Sequence, residues 1–136
     1  MRILHVTHNY PPESLAGVEV HVWRLARAQR ARGHEVLVFS GSERGAGDEA
    51  ADGASYEGIP LVQVHRTEDP GRAAWSRLTR LHDPAIVRRF DDVMRALRPE
   101  VVHVHHLLNL CWSLPWMARR MGARTRSEER RCRERV

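Results

Sequence analysis

No lysine occurs anywhere in the chain: all 22 basic residues are arginine. That bias points to a GC-rich coding sequence more than to a physical demand. Cysteine is almost as scarce. Cys111 and Cys132 lie far apart, outside any Cys-x-x-Cys pair and any metal-type spacing, so they read as buried or incidental thiols. Long apolar runs are missing too. The longest, Leu107 to Ala118, is interrupted by Asn109 and Ser113 and falls short of the roughly 18 residues that a membrane span needs. The start of the chain has one arginine and a short apolar run ending at Thr7, too short for the apolar region of a signal peptide. The expected location is therefore cytoplasmic, with attachment to the inner face of a membrane as the variant of that expectation.

A formal charge of +5 suggests a nucleic-acid ligand only until it is divided along the chain. Residues 124–136 hold six Arg and three Glu, which is +3 of the +5, so the remaining 123 residues carry only +2. The body is not strongly basic. With 136 residues, 42% hydrophobic and 29% charged, the composition is that of one globular domain with a real core.

Periodicity divides the chain into alternating strands and helices. Ile3, Leu4 and Val6 form a buried-type strand ending near Thr7. Asn9, Pro11 and Pro12 then enforce a loop. From Gly17, Val18, Val22, Leu25, Ala26 and Gln29 recur at helical spacing over about 15 residues, and Gly33 stands where a left-handed C-cap belongs. "HEVLVF" follows as a second strand, giving a right-handed βαβ unit with parallel strands. Residues 40–58 are rich in Gly, Ala and acids and read as a mobile surface loop. "IPLVQVH", 59–65, is a third strand. Trp75, Leu78 and Leu81 mark a short helix, whose arginines Arg72, Arg77 and Arg80 admit either a membrane-surface or a core-packing role. Asp83 and Pro84 look like the N-cap and first-turn proline of a longer helix that Pro99 ends. "EVVHVHH" is a fourth strand, and Ser113 to Met121 a last helix. The alternation predicts a Rossmann-like α/β domain with a three-layer, parallel sheet of order 3-2-1-4.

After Gly122 the pattern stops. Residues 123–136 have no apolar run and read as an Arg-rich tail, either solvated and disordered or translated out of frame. Without a fifth strand, the fourth becomes an exposed edge carrying Val101, Val102 and Val104, which invites self-association.

Two stretches carry the chemistry. In doubly wound sheets ligands bind beyond the carboxyl ends of the strands, where the first strand-to-helix loop forms part of the crevice. Residues 8–17 are that loop. Gly17 at the helix start permits close approach to the backbone, and the first-turn N–H groups favour an anion such as a diphosphate. The single glycine does not make a G-x-G-x-x-G fingerprint, and Gly17 as a plain cap remains open. Glu13 and Glu19 could act as bases or simply favour the helix start electrostatically. His103, His105 and His106 close the fourth strand. Along a strand His103 and His105 share a face and His106 does not. No nearby Asp, Glu or Cys completes a ligand set, so no metal is expected; the histidines read as structural or as lining the crevice.

"MRILHVTHNYPP", "AGVEVHVWRLARAQRARGHEVLVFSG" and "RPEVVHVHH", in that order, resemble the N-terminal, acceptor-side half of GT-B glycosyltransferases of the retaining, family-4-like kind. The resemblance covers residues 1–122 as a partial Rossmann-like domain, with 123–136 outside it. In that family the loop has paired glycines ahead of Val-Glu; here Ala16 replaces the first, while Gly17, Val18 and Glu19 match. The resemblance implies a substrate- and phosphate-binding loop at Ala16, Gly17, Val18 and Glu19, and a cleft lined by Asn9, His103, His105 and His106. It implies transfer of a sugar from a nucleoside-diphosphate sugar, the co-substrate, to a sugar or lipid-linked acceptor, with no other cofactor and no specific nucleic acid. The family's fifth strand, with its His-Asp pair, and its donor-binding second domain have no counterpart here. The expectation is a truncated glycosyltransferase, inactive alone, with no catalytic residue assigned. The rival is a small binding module whose basic tail grips nucleic acid or an acidic membrane.

Overall fold

A computed structural model of the chain describes residues 1–42, 54–65, 80–108 and 110–127. Its centre is a pair of parallel strands, β1 (Arg2–Thr7) and β2 (Glu35–Gly41), joined by helix α1 (Gly17–Ala31). Four strands lie beyond them: β3 (Ser55–Tyr56), β4 (Ile59–Val64), β5 (Val101–Val104) and β6 (Arg124–Ser127). The sheet runs β3-β4-β2-β1-β5-β6, all parallel except the antiparallel β3–β4 pair. The predicted order 3-2-1-4 is thus the observed β4-β2-β1-β5, with one further strand at each edge.

Period-two alternation gives the sheet two buried faces. On one, Leu4, Val6, Phe39, Val102 and Val104 pack against Ile86, Phe90 and Met94 of α2 (Pro84–Leu97) and Leu114 and Ala118 of α3 (Leu114–Arg120). Phe39 meets Phe90 edge-on at 5.3 Å between ring centres. On the other, Ile3, Val36, Val38, Ile59 and Leu61 pack against Val22 and Ala26 of α1 and against Tyr10 from the loop. Sealing a parallel sheet on both sides is what its continuous apolar runs require. Among the described residues no helix is long and apolar enough to cross a membrane.

The helix boundaries have local causes. Asp83 Oδ1 accepts a hydrogen bond from the Ala85 N–H at 3.1 Å, and Pro84 stands in the first turn. Gly33 has φ +88°, the left-handed conformation that lets the chain leave α1 and enter β2.

Three expectations are corrected. Residues 40–58 are not loop throughout: β2 continues to Gly41, and β3 pairs with β4 through a two-residue turn at Glu57 and Gly58, both at positive φ. Tyr56 is held there by its ring contacts with Tyr10 and Trp23. Second, the chain does add a strand after Gly122. Residues 124–127 pair with β5, Val101 opposite Arg124 through Val104 opposite Ser127. An edge strand needs backbone partners rather than an apolar run, and here only Thr125 and Ser127 turn inward, half-buried. Arg119 Nε donates to Thr125 Oγ1 at 2.7 Å, and the Arg124 N–H bonds the Glu100 carbonyl at 3.0 Å. Third, β5 is therefore no edge; it lies between β1 and β6. The edge has passed to β6, whose outward Arg124 and Arg126 are exposed charges of the kind that discourage strand addition. Of the short helix expected around Trp75 only Arg80 and Leu81 are described, both helical and exposed; Trp75, Leu78 and the tail beyond residue 127, Cys132 included, lie outside the described residues. Cys111 is buried in the α2–α3 core.

Removal of residues 123–136 should uncover β5 and cost about 2 kcal/mol, from a few ladder bonds at about 0.5–1.5 kcal/mol each. The expected result is a lower Tm and association that grows with protein concentration in light scattering. An unchanged Tm with a monodisperse chain would show that β6 adds nothing to the domain.

Candidate functional site

Where the strands end, the α1 face of the sheet changes from apolar to imidazole. In β1, Ile3 and then His5 point to this face; in β5, Val101, His103 and, one step past the strand end, His105 do so. The β1–β5 register sets His5 opposite His103, and the His105 N–H extends the ladder to the Val6 carbonyl at 2.9 Å. His5, His103 and His105 are all buried, at 0%, 8% and 4% exposure. Their rings stand close, His103 to His105 at 4.0 Å between centres and His5 to His105 at 5.1 Å.

Helix α1 completes the arrangement. His5 Nε2 lies 2.6 Å from Gln29 Oε1 and His5 Nδ1 lies 2.9 Å from His105 Nε2. With the Gln29 oxygen accepting, His5 carries its proton on Nε2, so Nδ1 accepts from His105 Nε2–H. His21, on the outer turn of α1, sets its ring edge-on to His105 at 6.0 Å. Burial, and then the neighbouring His103, His5 and His21, push the His105 pKa down to about 2. Near neutral pH this imidazole is uncharged, and it can offer an anion a dipole but not a charge.

A second cluster stands beside the first. His8 Nε2 is 3.1 Å from Glu19 Oε1, and the His8 ring packs on His106 at 4.6 Å. His106 Nδ1 accepts from the Leu108 N–H at 3.1 Å, which bends the chain away from β5. Glu19 is only 2% exposed.

The loop residues therefore take different positions. Ala16, Gly17 and Val18 are exposed at the start of α1, whereas Glu19 faces inward to His8. Ala16 has φ −72° and ψ 176°, an extended conformation open to any residue, so alanine in place of glycine carries no backbone cost. It also has no side chain to cap the first-turn N–H groups. A Cβ built on Gly17 meets nothing within 4 Å, so no intramolecular contact requires glycine there. Asn9 is buried. Glu13, the other acid near the loop, accepts from Ser42 Oγ at 2.9 and 2.8 Å, tying the loop to the end of β2. Tyr10 anchors it from below, fully buried, its phenol pKa raised by burial and by Tyr56 and Glu57.

His103, His105 and His106 are thus near the strand ends as expected, but split between two clusters. His5, His8 and Gln29 are participants that the motif reading passes over. The signal for them is the likeness of "LHVTH" in β1 to "VHVHH" in β5: aligning the apolar positions of these neighbouring strands places His5 opposite His103. A hollow of about 490 Å³ lined by Arg2, Met94, Arg98, Pro99 and Gly122 lies at the other end of the sheet, by the amino ends of the strands, and is remote from these groups.

The His8–Glu19 contact makes a specific demand on stability. Glu19→Ala leaves the partly exposed His8 without its carboxylate partner and should cost about 2 kcal/mol in urea unfolding at pH 7, whereas Glu19→Gln, which keeps an oxygen acceptor, should cost about 1 kcal/mol. Equal stability of both variants and the parent would place Glu19 outside the fold's support and among ligand-facing groups.

The chain matches the model of Glycosyltransferase Family 4 over residues 15–125. It is 32% identical over 120 residues to a glycogen synthase of Mycobacterium tuberculosis (strain CDC 1551 / Oshkosh), and to the same degree to that of strain ATCC 25618 / H37Rv. These alignments take in 79% of this chain and 28% of each relative, so the chain spans little more than a quarter of the length of the curated relatives it matches. The matched stretch begins just before α1 and ends in β6, and so contains all three helices, β2 to β5 and the β5 histidines, while β1 with His5 and the first part of the loop with His8 precede it. The chain belongs to glycosyltransferase family 4.

Proposed function

We propose that the chain forms the acceptor-side domain of a GT-B glycosyltransferase, which transfers a sugar from a nucleoside diphosphate to an acceptor hydroxyl, and that it transfers none by itself. The observation that carries this reading is the family match combined with the open space above Gly17 at the carboxyl end of the sheet. Stabilising a departing diphosphate calls for donors and cations gathered on one site. Here the donors are the first-turn amides of α1, which no side chain caps, and the Nε2–H of His106, whose Nδ1 accepts from Leu108. Glu19 would oppose an anion at this helix end were its carboxylate not directed to His8. That balance suits a sugar hydroxyl or a single phosphate better than a whole diphosphate, which fits an acceptor role. The relatives' far greater length is consistent with donor binding by a further domain.

Two measurements test the reading. The purified 136-residue chain, incubated with nucleoside-diphosphate sugars and sugar-phosphate acceptors, should release no nucleoside diphosphate above the buffer blank; transfer by the chain alone would overturn the claim of inactivity. Gly17→Ala should leave Tm unchanged or slightly raised, because alanine favours helix and the added methyl meets only open space. The same methyl should weaken binding of a sugar phosphate at least tenfold, followed by the amide shifts of residues 17 and 18. Equal binding by parent and variant would remove Gly17 from the site.

A further inference from the structure

The buried imidazoles on the α1 face are more than a polar patch. His5, His103 and His105 each present a ring nitrogen, and these three nitrogens all lie within 4.8 Å of one another. The set is assembled by the fold, not by sequence proximity: the β1–β5 register brings His5 opposite His103, and strand alternation turns His105 to the same side. Counting only neighbours along the chain leaves two imidazoles on this face; the sheet supplies a third.

We propose that His5, His103 and His105 form a binding site for one divalent transition metal ion of the zinc type, with three imidazole ligands and a fourth position for a water or ligand oxygen. Three points support it. Zinc sites with three protein ligands and one open position accept imidazole nitrogen at about 2.0–2.1 Å, which sets the ligand atoms about 3.4 Å apart in a tetrahedron. His5 Nδ1 and His105 Nε2 are 2.9 Å apart in a hydrogen bond; metal binding replaces it, with the His105 proton moving from Nε2 to Nδ1, and this pair opens by about half an ångström while the wider spacings, all within 4.8 Å, close toward about 3.4 Å. The Gln29 oxygen, 2.6 Å from His5 Nε2, holds the ring with its N–H turned outward and its Nδ1 lone pair turned to the cluster. Metal-bound histidines are oriented in this way, by a hydrogen bond from the nitrogen that does not bind. Finally, the ligand set is all nitrogen, which suits Zn2+, Co2+, Ni2+ and Cu2+ and disfavours Mg2+ and Ca2+, which take oxygen. This inference stands apart from the glycosyltransfer reading and neither needs it nor strengthens it.

The test uses the full chain without a histidine tag, carrying Cys132→Ser so that the tail thiol cannot compete, stripped with chelator and dialysed. Isothermal titration with Zn2+ alone should give one site per chain, with a Tm that rises with free Zn2+, since an ion that binds only the folded state stabilises it by mass action. Titration with Co2+ should give the intense visible bands of four-coordinate cobalt. His103→Asn and His105→Asn should each lose at least 100-fold in Zn2+ affinity, while His34→Asn and His82→Asn, both remote from the cluster, should bind as the parent does. Because the buried variants can misfold, Gln29→Leu serves as a second probe: it keeps all three imidazoles but removes the orienting oxygen, and should weaken Zn2+ binding by 10- to 100-fold. Substoichiometric binding, a six-coordinate cobalt spectrum, or equal loss in the His34 and His82 variants would overturn the site.

Discussion

The parallel pairing of β1 with β5 is the constraint on which the rest depends. It sets Leu4 opposite Val102 and Val6 opposite Val104 on one face, and His5 opposite His103 on the other. A slip of one residue would send the imidazoles into the apolar α2–α3 core and the valines toward α1. The apolar face therefore fixes the register, and the register fixes the histidines. Core packing and site geometry are two sides of one strand pair.

The same alternation explains why one face of the sheet can hold two different environments. Under the middle of α1, Val22 and Ala26 meet Val36, Val38 and Ile3, an ordinary apolar contact. Toward β5 the partners of α1 become His5 and His105, and the helix answers with Gln29 and His21 in place of aliphatic side chains. Burying polar groups is costly unless they are hydrogen-bonded, and the Gln29–His5–His105 chain supplies those bonds. Gln29 takes part in the helical repeat of apolar residues because it covers the sheet as they do, with its amide turned to the one polar partner beneath it.

What the sequence reveals follows from how local each signal is. Asp83-Pro84, Gly33 and the apolar period of α2 are each resolved within a few residues, and the structure places them where the pattern requires. The order of the four central strands is the usual one of doubly wound sheets and is observed as β4-β2-β1-β5. β6 escapes because "RTRS" has no apolar residue: its pairing depends on the open edge of β5, which no local window contains. β3 escapes because two residues and a turn are too short for period-two alternation to register. The inward turn of Glu19 and the meeting of His5 with His103 are properties of three-dimensional neighbours. Family resemblance finds His103, His105 and His106 as one motif and strand alternation sets His106 apart, but only the folded neighbours show that His5 joins the buried pair and that His106 meets His8.

This separation bears on chemistry. Under the acceptor role proposed above, a group that contacts the ligand has to reach solvent, and His8 and His106 at the rim are less buried than the inner set. His5, His103 and His105 have little contact with water, and His105 is held uncharged by burial and by its imidazole neighbours. Neutral, preoriented imidazoles are poor partners for a free anion, because they contribute dipoles where charge is needed. On the proposed reading, contact with phosphate or sugar therefore falls to the rim and to the amides of the α1 start rather than to the buried set. The buried three owe their meeting to the register that the apolar face of the same strands sets.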